Sequence, residues 1–272
     1  MVELQNPMST EQSRLRTTLL GSLLDAGQRN RARGAGAVRL FEAGAVYLPV
    51  EDPAQPLPAE PYHLGAIVSG SIRPSTWREP EPPEADFFAV KGVLGALLDA
   101  VRAPWSVQAT PGPEPFLHPG AAARILVDGS PVGWIGAVHP LVAAAWDWSD
   151  PVAAFELDLD ALDGRIDAAP QYRDLTSFPE VREDLAVVVS DAVTAADVLE
   201  VVRRAGGSLL GRVEVFDVYR DDERIGAGNV SLALRLHFRA PDRTLTDEEV
   251  ASRRAKIAAA LAEQLQGRVR DA

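Results

Sequence analysis

A chain of 272 residues can bury one large core or two moderate ones, and the absence of cysteine excludes both a disulfide framework and a thiolate metal site. No run approaches the roughly 18 consecutive apolar residues of a membrane span, and MVELQNPMSTEQS lacks the basic-then-apolar order of a signal peptide, so a cytoplasmic protein is expected. The net charge of -12 excludes a broad polyanion-binding surface, because non-specific nucleic-acid affinity comes from Lys and Arg that displace counterions.

The imbalance is uneven. Residues 1–170 carry 12 Lys and Arg against 21 Asp and Glu, whereas residues 171–272 carry 15 against 18, giving -9 and -3. Any RNA contact is therefore expected in the last third, local and selective. Asn6-Pro7 sets an extended start, and Ser9 with Gln12 stands in capping-box spacing before a helix with apolar face Leu15, Leu19, Leu20, Leu23 and Leu24, ending near Arg33. Gly34 to Gly36 follows a helix and precedes a strand, the reverse of the dinucleotide fingerprint, and reads as a turn. VRLFEAGAVYL then predicts a strand from Val38 to Leu48.

Pro-rich EDPAQPLPAEP separates that strand from another at His63 to Ser69. EPEPPEAD precedes a helix from Phe87 to about Val101, with Asp86 as N-cap and Val90, Val93, Leu94, Leu97, Leu98 and Val101 as its buried face. Trp105 to Ala109 reads as a strand, and TPGPEPFLHPG as a loop. AARILVD and VGWIGAVHP meet at Asp128-Gly129, a hairpin signal. Val152 to Leu159 closes this part as a strand, on which period 2 places Asp158 and Asp160 on one solvated face.

Asp167 to Pro170 is the expected domain boundary. Beyond it the order is strand, helix, strand, strand, helix, strand. The first strand is Leu185 to Val189, and the first helix runs from an N-cap at Thr194 through Val198, Val201 and Val202 to the Gly206-Gly207 stop. Strands at Val213 to Tyr219 and Val230 to Phe238 flank the DDERIGAGN turn. Thr246 and Glu249 form a capping box opening a helix through Val250, Ile257, Leu261 and Leu265, and a short strand at Arg268 to Arg270 ends the chain. This βαββαβ order with right-handed crossovers gives four antiparallel strands with both helices on one face. Leu232, Leu234, Leu236 and Phe238 are expected to meet the helices, which turns Ser231, Arg235 and His237 to the open side.

FRAPDRTLTDEEV, the VFDVY before it and the opening SFPEVREDLAVVV resemble the ferredoxin-fold anticodon-binding domain of the bacterial phenylalanyl-tRNA synthetase beta subunit. NPMSTEQSRLRTTLLGSLL, RLFEAGAVY and DFFAVKG resemble the catalytic-like module of the same subunit, which is similar to a class II synthetase core that has lost activity. The two resemblances stand in the family's order and cover nearly the whole chain. They imply an α+β protein. A truncated, non-catalytic, partial class II synthetase-like antiparallel sheet with flanking helices spans 1–168, and a ferredoxin-like anticodon-binding domain spans 171–272. The chain departs from the family at Ala121, where the His-Pro-Gly loop sequence usually continues with Arg, and at Glu183, where a second basic residue is usual.

The function implied is assembly with the alpha subunit and recognition of the tRNA-Phe anticodon, within a heterotetrameric ligase that charges tRNA with phenylalanine. ATP and magnesium belong to the holoenzyme, and no cofactor, metal ligand or catalytic residue is expected in this chain. Glu42 has no accompanying ATP arginine, and the four histidines lack zinc spacing. Single-stranded RNA is held by phosphate contacts and by bases stacked on aromatic or Arg planes. The candidates are Arg173, Arg182, Arg220, Arg235, Arg239, Arg243 and Tyr219, with Phe216 as a further stacking group. Arg239, Asp242 and Arg243 could equally hold the strand-to-helix loop together. The acidic balance, Ala121 and Glu183 keep a second reading open: a decayed or duplicated fragment acting as a protein-interaction or dimerisation module without RNA binding.

Overall fold

The computed structural model describes residues 2–9, 13–50, 52, 57–166 and 178–270. The chain divides into two compact units, residues 1–171 and 172–272.

The first unit is built on a six-stranded antiparallel sheet, order β1-β2-β6-β5-β4-β3. Its strands are β1 (Val38–Ala45), β2 (Tyr62–Ser69), β3 (Trp105–Ala109), β4 (Leu117–Val127), β5 (Ser130–Val138) and β6 (Val152–Asp158). Alternation along β6 sends Ala153, Phe155 and Leu157 to one face and Val152, Ala154 and Glu156 to the other. Helix α2 (Phe87–Ala100) covers the first face with Val90, Leu94 and Leu98. Helix α1 (Leu20–Ala32) covers the second, where Leu19, Leu20, Leu23 and Leu24 meet Val38, Ile67, Trp134 and Ala154. A short helix α3 (Pro140–Ala145) follows β5. Asp86 caps α2 as expected, accepting from the Ala89 amide at 2.8 Å. The β4–β5 hairpin turns at Asp128 and Gly129, whose φ values of 49° and 72° are the positive pair that a type I′ turn requires.

The first unit departs from the sequence expectation at five places. Helix α1 starts at Leu20, not near Ser9; Gln12 lies outside the described residues. Extended pairing has claimed the earlier segment: the Leu4 amide donates to the Ser13 carbonyl (2.8 Å) and the Leu15 amide to Val2 (2.9 Å). Strand β1 stops at Ala45, and Leu48 instead pairs singly with Ala59. His118, Pro119 and Gly120 lie within β4 rather than in a loop. Val93 is 50% exposed, off the buried stripe of α2. Asp158 and Asp160 do not share a strand face, because β6 ends at Asp158, whose carboxylate accepts from the Asp160 and Ala161 amides (3.0 and 3.1 Å) and so opens the 3-10 turn Asp160–Leu162.

The second unit carries a four-stranded antiparallel sheet, order β10-β7-β9-β8, of β7 (Val181–Ser190), β8 (Leu210–Tyr219), β9 (Asn229–Phe238) and β10 (Arg268–Arg270). Helices α4 (Ala195–Gly206) and α6 (Asp247–Leu265) supply Val198, Val201, Val202, Val250, Ile257 and Leu261 to one core with Leu185, Val187, Leu234, Leu236 and Phe238. This is the ferredoxin-like arrangement, and both capping boxes, Thr194 with Asp197 and Thr246 with Glu249, are formed. Gly207 ends α4 at φ 61°, where a side chain would be strained. Sequence reading missed two features: β7 and β8 begin earlier than expected, and the DDERIGAGN turn contains a one-turn helix α5 (Asp222–Ile225). The expected boundary at Asp167 to Pro170 lies outside the described residues.

Candidate nucleic-acid interface

The helices cover one face of the second unit's sheet, and strand register arranges the other into cross-strand rows. Arg182 and Arg212 both stand opposite His237; Asp184 and Glu214 both stand opposite Arg235; Val188 and Tyr219 both stand opposite Ser231. On β10, Arg268 and Arg270 stand opposite Val188 and Ala186. The alternation that buries the even-numbered leucines of β9 is what turns Arg235 outward.

Arg235 is the most defined group of this face. Its Nε and Nη2 donate to the two carboxylate oxygens of Asp184 at 2.9 and 3.0 Å, a bidentate pair that fixes the guanidinium plane. Its Cζ lies 4.5 Å from the centre of the Phe216 ring, within cation–π range. The register shift between Val215 and Asp217 marks a bulge at Phe216. Such bulges re-aim side chains, and Phe216 is 46% exposed, so it is not the core residue its type suggests. The Arg235 hydrogen bond holds the Asp184 carboxyl below the ordinary carboxylate range and raises the arginine itself.

The remaining candidates do not converge on one spot. Arg182 donates to Glu180 (3.0 Å), whose carboxyl is held low first by its His237 hydrogen bond and then by Arg182. Arg220, just past β8, pairs with Asp191. The Tyr219 hydroxyl donates to Asp221 (2.6 Å), which raises the phenol's pKa and lowers the carboxyl's while Asp221 caps α5. Arg239 is exposed in the β9–α6 loop, its backbone amide donating to Leu209. Arg243 reaches Asp242 (3.2 Å) and Glu249 (2.5 Å), tying it to the α6 capping box, the loop-holding role considered above. Arg173 lies outside the described residues. Arg212, Arg268 and Arg270 were missed; their signal was alternation on strands β8 and β10, which sequence reading began too late or left without partners.

The first unit has a different site. An open cavity of about 470 Å³ is bordered by Thr18, His63, Glu114, Phe116, Arg124, Trp134, Glu156 and Asp158. Glu156 is 3% exposed, yet its carboxylate accepts three hydrogen bonds: from the Thr18 hydroxyl (2.5 Å), the Leu19 amide (3.0 Å) and His63 Nδ1 (2.6 Å). It thereby satisfies the start of α1, whose N-cap position, Leu19, has no capping side chain. Burial and the neighbouring Glu156 raise the Glu114 carboxyl, against Arg124. His118 Nδ1 accepts from the Gly120 amide and His139 Nδ1 from the Leu141 amide, so both have local structural roles. Among the described residues no group of His, Cys, Asp and Glu is placed to hold a metal ion, and no helix is long and apolar enough to cross a membrane.

Residues 176–270 match the family model of the ferredoxin-fold anticodon binding domain, which puts the second unit in the class of anticodon-binding ferredoxin folds. Residues 1–159 match the model of the phenylalanyl tRNA synthetase beta chain CLM domain. The chain belongs to the phenylalanyl-tRNA synthetase beta chain family. It is 42% identical over 247 residues to the phenylalanine–tRNA ligase beta subunit of Symbiobacterium thermophilum, covering 91% of this chain and 27% of that one. Against the Bacillus subtilis beta subunit it is 38% identical over 264 residues, 97% of this chain and 32% of the relative. The chain thus spans about a third of the length of these relatives. Pyrrolysyl-tRNA synthetase from Desulfitobacterium hafniense is a remote structural neighbour (TM-score 0.40, 16% identity, 54% of this chain and 48% of that one), too distant to bear on fold or function.

Proposed function

We propose that this chain acts as a non-catalytic part of a phenylalanine–tRNA ligase beta subunit. Residues 1–168 serve as a scaffold for assembly with the alpha subunit, and residues 171–272 contact the anticodon region of tRNA-Phe. The reaction takes place in the cytoplasm, on a heterotetramer whose alpha subunit uses ATP and magnesium to activate phenylalanine. The observation that carries the RNA reading is Arg235: a planar cation locked on Asp184 and laid over Phe216, on the sheet face that the helices leave open. A stacking group held in place before binding loses little entropy when a base arrives. Arg182, Arg220, Arg239, Arg243 and Tyr219 border that face or its loops as weaker candidates, with Arg173 preceding it in sequence.

The test is binding of the full chain to tRNA-Phe and to an anticodon-substituted copy over a salt series. Discrimination that weakens with salt is expected. Arg235→Ala should reduce affinity roughly tenfold, as alanine substitution of a base-stacking side chain does, without unfolding the unit. Unchanged affinity would remove Arg235 from the interface. One observation favours the second reading, an interaction module without RNA binding: Arg182, Arg220, Arg235 and Arg243 each already have an acidic partner. Stable self-association of the chain combined with no tRNA affinity would decide for that reading.

A further inference from the structure

His237 is 7% exposed although it belongs to the sheet face turned away from the helices. Its Nδ1 is 2.7 Å from Glu180 Oε1, and its Nε2 is 3.7 Å from Glu214 Oε1, buried and without a hydrogen-bond partner. When Nδ1 donates to Glu180 and the ring is uncharged, Nε2 carries a lone pair and has nothing to donate to Glu214; a proton there would supply a donor. Both carboxylates already hold arginines. Glu180 accepts from Arg182 and Glu214 from Arg212, the two residues directly opposite His237 on its neighbouring strands. The row thus pairs two arginines with two carboxylates, and the imidazole lies between them.

We infer that the cross-strand row Arg182–His237–Arg212 is a phosphate-binding site for an RNA backbone, switched on when His237 takes up a proton. The inference rests on the RNA-binding reading above and adds its regulation. A proton on Nε2 turns the contact with Glu214 into a charge-assisted hydrogen bond. Glu180 already accepts from both His237 and Arg182, so the added proton engages Glu214 alone and leaves the row with one net positive charge, which Arg182 and Arg212, each with 69% of its side chain exposed, present to a phosphate. His237 does not touch the ligand; it positions the two groups that do. The other charges near it are Asp184 on β7, bound to Arg235, and Arg235 and Arg239, two residues to either side in sequence. The hydrogen bonds that hold Glu180 below the ordinary carboxylate range keep it ionised while histidine titrates.

The experiment is anisotropy of labelled tRNA-Phe with the full chain at constant ionic strength, from about pH 8 to about pH 5.5, a range spanning the ordinary histidine value of about 6.5. Affinity of the wild type should tighten roughly two- to fivefold on acidification, the worth of one added exposed charge contact. His237→Gln should flatten that response, and Arg212→Gln should lower affinity more at the acidic end. The His237 ring titration, followed by NMR in the wild type, should share its midpoint with the affinity change, a check that does not depend on any variant folding. Binding that is equal at both ends of the range, or a midpoint that departs from that of the ring, overturns the switch while leaving RNA binding in place. No binding at any pH removes both.

Discussion

Replacing Glu156 tests whether a strand carboxylate holds the start of helix α1. In Glu156→Ala all three hydrogen bonds are lost, and the Leu19 amide, the Thr18 hydroxyl and His63 are left beside an apolar wall. Bonds to a charged group are worth about 1.5–3 kcal/mol each, but the open cavity of about 470 Å³ lets water replace part of them. The expected loss is therefore about 3–5 kcal/mol, the range for removing one partner of a buried charged network. Glu156→Gln separates charge from shape. Thr18 and Leu19 both donate to the same carboxylate oxygen, which the amide oxygen can replace, while the amide nitrogen can donate to the alternative tautomer of His63. Only the charge assistance is lost, so about 1–2 kcal/mol is expected. Urea unfolding followed by tryptophan fluorescence suits the measurement, because all five tryptophans, at 77, 105, 134, 146 and 148, belong to the first unit. A loss below about 1 kcal/mol for the alanine variant, or equal losses for both, would refute the capping argument.

Leu236 is fully buried, with Glu183 of β7 and Val213 of β8 as strand neighbours, so Leu236→Ala should cost about 2–5 kcal/mol in a far-ultraviolet dichroism melt of the second unit; a cost near zero would contradict the β9 register. Acid should destabilise the second unit through Glu180, Asp184, Asp221 and Glu249, whose carboxyls are held below their ordinary values by His237, Arg235, the Tyr219 hydroxyl and the Thr246 amide respectively. Because folding lowers these pKa values, their stabilisation is complete above the unfolded value of about 4 and is lost as pH falls through the folded ones. Denaturant midpoints measured down this range should fall. A Glu249→Gln variant with the wild-type slope would show that its carboxylate contributes nothing.

Much of the second unit was legible in the residues because its signals are local. Period-2 alternation from Val230 to Phe238 fixes which side chains are inward, and Thr246 with Glu249 specifies a helix start within four residues. The motif words at both ends gave the family. In the first unit the local signals misled at α1, where a capping pattern at Ser9 was overruled by pairing with residues 2–4 and by a carboxylate contributed from β6, 137 residues away from Leu19. No window of sequence contains that contact.

The candidate site divides in the same way. Composition and alternation were enough to name Arg235 and to face it outward, since both depend on neighbours in the chain. Its fixed plane depends on Asp184, 51 residues away on β7, and on a bulge that rotates Phe216 beneath it. Arg243, of the same residue type and close by, was instead drawn into the α6 cap by Glu249. Sequence determined which charges the chain carries and which face of each strand they take; strand register and long-range pairing decided which of them were neutralised, stacked or left for a ligand, because the energy of a charge is set by what lies within a few ångströms of it in space.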